Sequence, residues 1–244
     1  MENFDKKRFA EIFEKLIPDK VSYEFMAFDA NLTDKQLSEF RTQFPLSELE
    51  FLDIQRAIPK REIEYRTGRF LAKKLLGLNK ISNKSYLYKK PNGAPNWPQQ
   101  IIGSISHSES TCIVAITEEK LFSGIGIDIE HGIFEADLER RIVRHEEIVN
   151  RPDCLSPLAA LRALFCCKEA VYKALERVLT ERIDFLDVNI CTVEAIDSDV
   201  YEFDVKFTRS IPCLRTLNPD RIYGRFYADE HYAVSVVILK LDAT

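Results

Sequence analysis

Asp128 and Glu130 stand one residue apart in the run Gly124-Ile125-Gly126-Ile127-Asp128-Ile129-Glu130. Alternate side chains of an extended strand share a face, so the two carboxylates point one way while Ile127 and Ile129 point into a core. Such a pair offers hard oxygen ligands to a divalent cation such as Mg2+, which takes one or two protein carboxylates and fills its other positions with water or substrate phosphate oxygens. Taken alone, the pair is more often the polar face of an edge strand. Downstream, Phe165-Cys166-Cys167-Lys168-Glu169-Ala170-Val171-Tyr172-Lys173 adds a carboxylate and two cations. On a helix Glu169 and Lys173 share a face one turn apart, which as a surface ion pair is worth about 0.3–0.5 kcal/mol.

These residues need a scaffold, and hydrophobic periodicity predicts one. Residues 3–17 read as a helix through Phe4, Phe9, Ile12, Phe13 and Leu16, stopped by Pro18. A strand is expected over 23–29, a turn or short helix capped by Ser47 near 46–50, and a helix over 60–76 with Gly77 as its C-cap. Strands follow over 101–106, 111–117 and 124–130, then an amphipathic helix over 138–149 and a long helix over 158–179. Stretches 185–196 and 201–207 alternate around Asp197-Ser198-Asp199 as a hairpin, with further strands over 223–227 and 232–239. Periodicity by itself claims only mixed helices and strands.

On the helix over 60–76, Arg61 and Arg69 are eight residues apart, about 12 Å along the axis and on nearly the same face. They could embrace a phosphate with a third cation, or form an ordinary solvated face. Lys89, before the turn Pro91-Asn92-Gly93-Ala94-Pro95, is a similar candidate, with Arg66 and Lys60 behind it. His107 ends a strand among hydroxyl residues in Gly103-Ser104-Ile105-Ser106-His107-Ser108; a lone histidine is more often a packed or exposed residue than a ligand contact.

In order and spacing, the Gly103–Ser108, Gly124–Glu130 and Phe165–Lys173 stretches resemble the signature motifs of the 4'-phosphopantetheinyl transferases of the Sfp/EntD type. Trp97-Pro98 and Gly-Ser-Ile-Ser-His look most like the EntD branch, and Lys60-Arg61-Glu62-Ile63-Glu64-Tyr65-Arg66-Thr67-Gly68-Arg69 extends the likeness over roughly residues 56–176. The resemblance implies an α+β fold of two similar α/β subdomains packed as a pseudo-dimer, here residues 1–122 for coenzyme A and 123–244 for the metal and the carrier protein. It implies transfer of the phosphopantetheine of coenzyme A to a serine of an acyl or peptidyl carrier protein, with siderophore-like nonribosomal peptide synthesis as the setting. It makes Asp128, Glu130 and Glu169 the Mg2+ ligands, and sets Arg61, Arg69, Lys89, Ser106 and His107 on the nucleotide phosphates. Lys173 and Lys168 serve the pyrophosphate, Lys168 alternatively moving a proton. Glu169, Glu146 or Glu147 takes the serine proton. Carrier proteins are typically acidic, so their docking surface here should be apolar with cationic points.

Composition narrows the alternatives. Apolar residues make up 45% and charged residues 30% of the 244-residue chain, an ordinary globular balance. A net charge of −5 argues against general nucleic-acid binding, which needs a basic face. No apolar run approaches the roughly 18 residues of a membrane helix, and the charged Met1-Glu2-Asn3-Phe4-Asp5-Lys6-Lys7-Arg8 start is unlike a secretion signal, so a cytoplasmic protein is expected, and the resemblance, with both halves in one chain, implies a monomer. The six cysteines show no zinc spacing or C-x-x-C pair. Two other readings remain open from the residues: a Mg2+-dependent phosphohydrolase of coenzyme A or nucleotides, and a non-catalytic coenzyme A-binding module.

Overall fold

Each half of the chain lays one long helix on an antiparallel sheet. The computed structural model describes residues 6–79, 87–132, 139–149, 152, 154–214 and 221–241. The first half holds α1 (Lys6–Leu16), β1 (Ser22–Ala27), α2 (Asp34–Gln43), α3 (Glu48–Leu52), α4 (Pro59–Leu78), β2 (Ile101–Ser108) and β3 (Thr111–Glu118). The second holds β4 (Phe122–His131), α5 (Glu139–Ile142), α6 (His145–Val149), α7 (Pro157–Leu175), β5 (Val188–Ala195), β6 (Val200–Phe207), β7 (Ile222–Ala228) and β8 (Tyr232–Lys240). Both long helices begin on a proline, whose missing N–H costs nothing in the first turn, and Ser156 caps α7 by accepting from Ala159 N.

The sheets run β1-β3-β2 and β4-β8-β7-β6-β5. Helix α4 buries Ile63, Leu71, Leu75 and Leu76 against Cys112, Val114 and Ile116 of β3. Helix α7 covers the second sheet with Ala170, Val171 and Ala174 against Phe203, Phe226 and Val237. The opposite faces merge into one core under α1, where Phe9 and Phe13 meet Ile113 and Ala115 of one sheet and Ile125, Ile127 and Val236 of the other. The fold is therefore α+β with two helix-on-sheet halves, as expected, though unequal in strand number and tied together by α1.

Strands β2 and β4 are the outer strands of their sheets, and they meet through hydroxyls in place of a backbone ladder. Ile127 N donates to Ser104 Oγ (3.0 Å), Ile129 N to Ser106 Oγ (3.3 Å) and His131 N to Ser108 Oγ (3.0 Å). Period-two alternation puts all three serines on the edge that faces β4. On the other side of β4, a Cβ on Gly126 would fall 1.8 Å from Ala170 O and one on Gly124 2.2 Å from Ala174 O. Only glycine lets α7 lie this close.

Four expectations need correction. Helix α2 was not anticipated, although its capping box, Thr33 with Gln36, is written in the sequence. Helix α4 runs past Gly77 to Leu78 and is capped at Asn79. Helix α7 stops at Leu175, short of residue 179. The single helix over 138–149 is broken into α5 and α6, because Glu147 turns back to accept from Arg144 N (2.7 Å); residue 138 lies outside the described residues.

That break is held by Lys168, which is fully buried and donates to Glu147 Oε2 (2.8 Å), Ile142 O (2.7 Å) and Phe185 O (3.0 Å). An ammonium has three protons, and here all three are committed. Glu147 Oε1 accepts from Ile190 N (2.7 Å), so both its oxygens are occupied as well. Lys168 as a phosphate cation or proton carrier, and Glu147 as the proton acceptor, are thereby overturned: the pair pins α5, α6 and β5 to α7.

Two measurements check this framework. Gly126→Ala should lower stability in urea unfolding by about 1–3 kcal/mol or more through overpacking, while Gly77→Ala, in open space on α4, should raise it by about 0.5–1 kcal/mol. Lys168→Met should cost about 3–5 kcal/mol by stranding the buried Glu147 carboxylate.

Candidate active site

The carboxylates of β4 meet α7 just beyond the two glycines. Asp128 is buried, and its Oδ1 accepts from Ser106 Oγ (2.7 Å) and Lys173 Nζ (2.6 Å). Lys173 also donates to Ile127 O and Ser106 Oγ, both at 3.1 Å. Burial works against the charge on Lys173, but the neighbouring Asp128 carboxylate outweighs it and holds the pKa above the usual lysine value. Glu130, touching Ser108 Oγ at 3.4 Å, is pushed up to about 8 by burial and then by the charge of Asp128. Burial likewise raises Glu169, where Lys173 opposes the shift and Asp128 adds to it.

Asp128 Oδ2 is buried without a hydrogen-bond partner among the described residues. A free buried carboxylate oxygen and two neighbours that resist ionisation are a donor set that suits a hard divalent cation. The set is not closed in advance: among the described residues, no three His, Cys, Asp or Glu side chains are grouped closely enough to hold a metal ion. The Lys173 ammonium supplies the positive charge beside Asp128.

Across the β2–β4 seam the expected cations come together. The Arg61 guanidinium touches His107 Nε2 and lies 3.1 Å from Glu64 Oε2, which is itself 3.4 Å from His107 Nδ1. A guanidinium can only donate, so Nε2 accepts and Nδ1 carries the proton toward Glu64. Burial, with Arg61 and Lys173 nearby, lowers the His107 pKa to about 3. Arg69 is buried over the Tyr65 ring at 4.1 Å, with its Nε unpartnered among the described residues. Lys89 Nζ lies 5.3 Å from the same ring, and burial and then Arg61 depress its pKa. Arg69 and Lys89 thus share one tyrosine ring and Arg61 acts on Lys89, a grouping of like charges that suits an anion.

Ser106 and Arg66 are assigned differently from expectation. The Ser106 hydroxyl donates to Asp128 and accepts from Ile129 N and Lys173, so it is spent on the seam and is not free for a nucleotide phosphate. Arg66 is buried on Glu62 (2.8 Å) and Phe44 O (2.8 Å), a structural tie, while Lys60 is exposed and Glu146 faces solvent beside Arg144. Three partners were missed: Tyr65, Asp53, which fixes Tyr65 OH (2.5 Å), and Glu64. Their signal was helical spacing, since Glu64 and Tyr65 lie within one turn of Arg61 and Arg69. A cavity of about 290 Å3, lined by Pro95, Trp97, Gly103, Tyr172, Lys173 and Glu176 among others, opens beside Lys173. Glu176 closes one end by accepting from Asn92 Nδ2 (2.6 Å) and Lys90 Nζ (3.3 Å).

The histidine gives a pH test. Its pKa is about 3 in the folded chain and about 6.5 when unfolded, so the unfolded chain binds the extra proton between those values. Its contribution is full above the unfolded value and is lost as pH falls toward 3. Urea unfolding should show a shallower decline in stability between about pH 7 and 5 for His107→Gln than for the parent.

Family models match both halves: "4'-phosphopantetheinyl transferase N-terminal domain" over residues 49–117 and "4'-phosphopantetheinyl transferase superfamily" over residues 124–236. The chain is 26% identical over 201 residues to the 4'-phosphopantetheinyl transferase Svp of Streptomyces mobaraensis, covering 80% of this chain and 78% of Svp. It is 28% identical over 150 residues to the 4'-phosphopantetheinyl transferase Npt of Nocardia iowensis, covering 59% of this chain and 65% of Npt. It is 31% identical over 145 residues to enterobactin synthase component D of Shigella flexneri, covering 57% of this chain and 66% of that protein. The last two matches span just under two thirds of the relatives' length. With both long helices and the seam residues of β2 and β4 inside the matched stretches, the chain belongs to the 4'-phosphopantetheinyl transferase superfamily, in its Sfp/EntD type.

Proposed function

We propose that this protein transfers the phosphopantetheine group of coenzyme A to a serine hydroxyl of an acyl or peptidyl carrier protein, leaving adenosine 3',5'-bisphosphate. The observation that carries the reading is the seam itself. Lys173 bridges Asp128 to Ser106, and His107, the next residue on β2, touches Arg61, so one short path joins a carboxylate set to a phosphate-binding set. A substrate with a pyrophosphate and a separate phosphomonoester fits both ends.

Arg61, Arg69, Lys89 and His107 hold the nucleotide end through its 3'-phosphate. The cavity beside Lys173 receives a further part of coenzyme A, and Lys173 leaves Asp128 to steady the pyrophosphate. Asp128, Glu130 and Glu169 are the residues that would hold Mg2+, which when bound supplies neutralising charge to the pyrophosphate. The carrier serine oxygen forms a bond to the phosphorus next to the pantetheine, and the bond from that phosphorus to the bridging oxygen breaks. Glu169 accepts the serine proton, since its raised pKa suits it to that task and Glu146 and Glu147 are engaged elsewhere. A setting in nonribosomal peptide synthesis is suggested by the relative named as a component of enterobactin synthase. No described helix is long and apolar enough to cross a membrane, and a monomer working in the cytoplasm, where coenzyme A is at hand, is part of the proposal.

Intact-mass analysis of apo peptidyl and acyl carrier proteins, incubated with this protein, coenzyme A and Mg2+, tests the reading. A gain of one phosphopantetheine is expected, abolished by chelator or by Glu130→Ala. Coenzyme A consumed without a gain on any carrier would point to a hydrolase, and coenzyme A bound but intact to a binding module. Glu169→Gln should lower kcat by about 10²–10⁴ while leaving the affinity for coenzyme A, read by calorimetry without Mg2+, nearly unchanged.

A further inference from the structure

On α3 the usual partition of side chains is inverted. Glu50 is completely buried, where it accepts from Lys73 Nζ (2.7 Å) and Leu87 N (3.1 Å), while its neighbours face solvent: Leu49 is 46% exposed, Phe51 50% and Leu52 55%. Ile58, at the start of α4, is 67% exposed. Four of the nine large apolar side chains exposed among the described residues thus fall within ten residues of chain. Single exposed leucines need no explanation, but a cluster beside an inward-turned glutamate marks a surface kept for a partner.

The charge around the cluster says what partner. Between Phe51 and Arg61 the exposed ions are Arg56 and Lys60. The one acid in that stretch, Asp53, is turned inward to Tyr65 OH (2.5 Å) and Lys89 N (2.6 Å). A chain of net charge −5 therefore presents here an apolar face with Arg56 and Lys60 on the side toward Arg61 and the exposed Glu48 at its far end beside Leu49. The face also adjoins the site: Ile58 is one turn before Arg61, whose guanidinium touches His107.

We infer that Phe51, Leu52, Arg56 and Ile58 form the docking surface for the carrier protein, and that they receive an apolar carrier face ringed by carboxylates around the acceptor serine. The inference rests on the transferase reading above. Phe51 and Leu52 desolvate the centre, and Arg56 steers the acidic partner and excludes basic ones. A partner seated there has its edge at the phosphate cradle.

The test titrates apo peptidyl and acyl carrier domains into the full chain and into Phe51→Glu, Phe51→Ser and Arg56→Glu, reading binding by fluorescence anisotropy alongside transfer rates. Melting temperatures identify the variants that fold. The expected result is a rise of about tenfold or more in the carrier Kd and carrier KM, with kcat and the KM for coenzyme A unchanged. Folded variants whose carrier affinity stays within about twofold of the parent would overturn the inference and leave the transferase reading intact. Carrier binding that the variants lose, without any transfer by the parent, would support the docking surface and sink the transferase reading. A parent that binds no carrier, or one that is a dimer split by Phe51→Glu, would also overturn it.

Discussion

The site depends on how closely α7 lies against β4. A side chain at Gly124 or Gly126 would run into the helix backbone, so the glycine half of β4 fixes the depth of α7 and the carboxylate half meets what the helix carries. Ala170 and Ala174 rest on the glycines, and Lys173, on the same side of the helix, then reaches Asp128 at 2.6 Å. The alternation Gly-x-Gly-x-Asp-x-Glu is thus one device: the first two positions remove side chains so that the last two can meet charged groups from α7.

The second constraint is the hydroxyl seam. Two sheet edges that joined by a backbone ladder would place β2 and β4 at ladder spacing and leave no polar side chains between them. Serines at 104, 106 and 108 instead receive three successive β4 N–H groups, which satisfies edges that would otherwise invite foreign strands. Because Ser106 also donates to Asp128, the seam holds the carboxylate in place. The strand that carries His107 is thereby locked in register with the strand that carries Asp128. The cations on α4 and the carboxylates on β4, distant in sequence, are brought to a fixed separation by one row of hydroxyls.

Much of this was legible in the sequence, because period two and period 3.6 are strong signals where one face is buried. All eight strands and both long helices lie in the stretches where alternation and spacing put them, with ends displaced by up to four residues, and the motif residues Arg61, Arg69, Lys89, His107, Asp128, Glu130, Glu169 and Lys173 lie along or beside one seam. What periodicity does not carry is partnership. The hydroxyl of Ser106 reads from sequence as a free phosphate ligand, and only packing reveals that three partners already saturate it. Ser47 marks the start of a short helix in the sequence, but nothing in that stretch signals that Glu50 is its buried member and Phe51 an exposed one.

Lys168 and Lys173 show where the limit lies. They are the same residue type on the same helix, and each pairs with a buried carboxylate. At about 100° per residue, five positions turn the helix by about 140° beyond a full revolution, so the two ammonium groups leave it in different directions. One enters the seam with β4, where Asp128 and Ser106 hold it at the edge of a cavity. The other enters the junction of α5, α6 and β5, where backbone carbonyls and Glu147 use every proton it has. Proximity along the chain to Glu169 made them look equivalent. Each ammonium makes three hydrogen bonds, and their roles differ by access: the Lys173 side chain keeps 28% of its surface exposed and lines the cavity, whereas Lys168 is sealed off with none of its surface exposed.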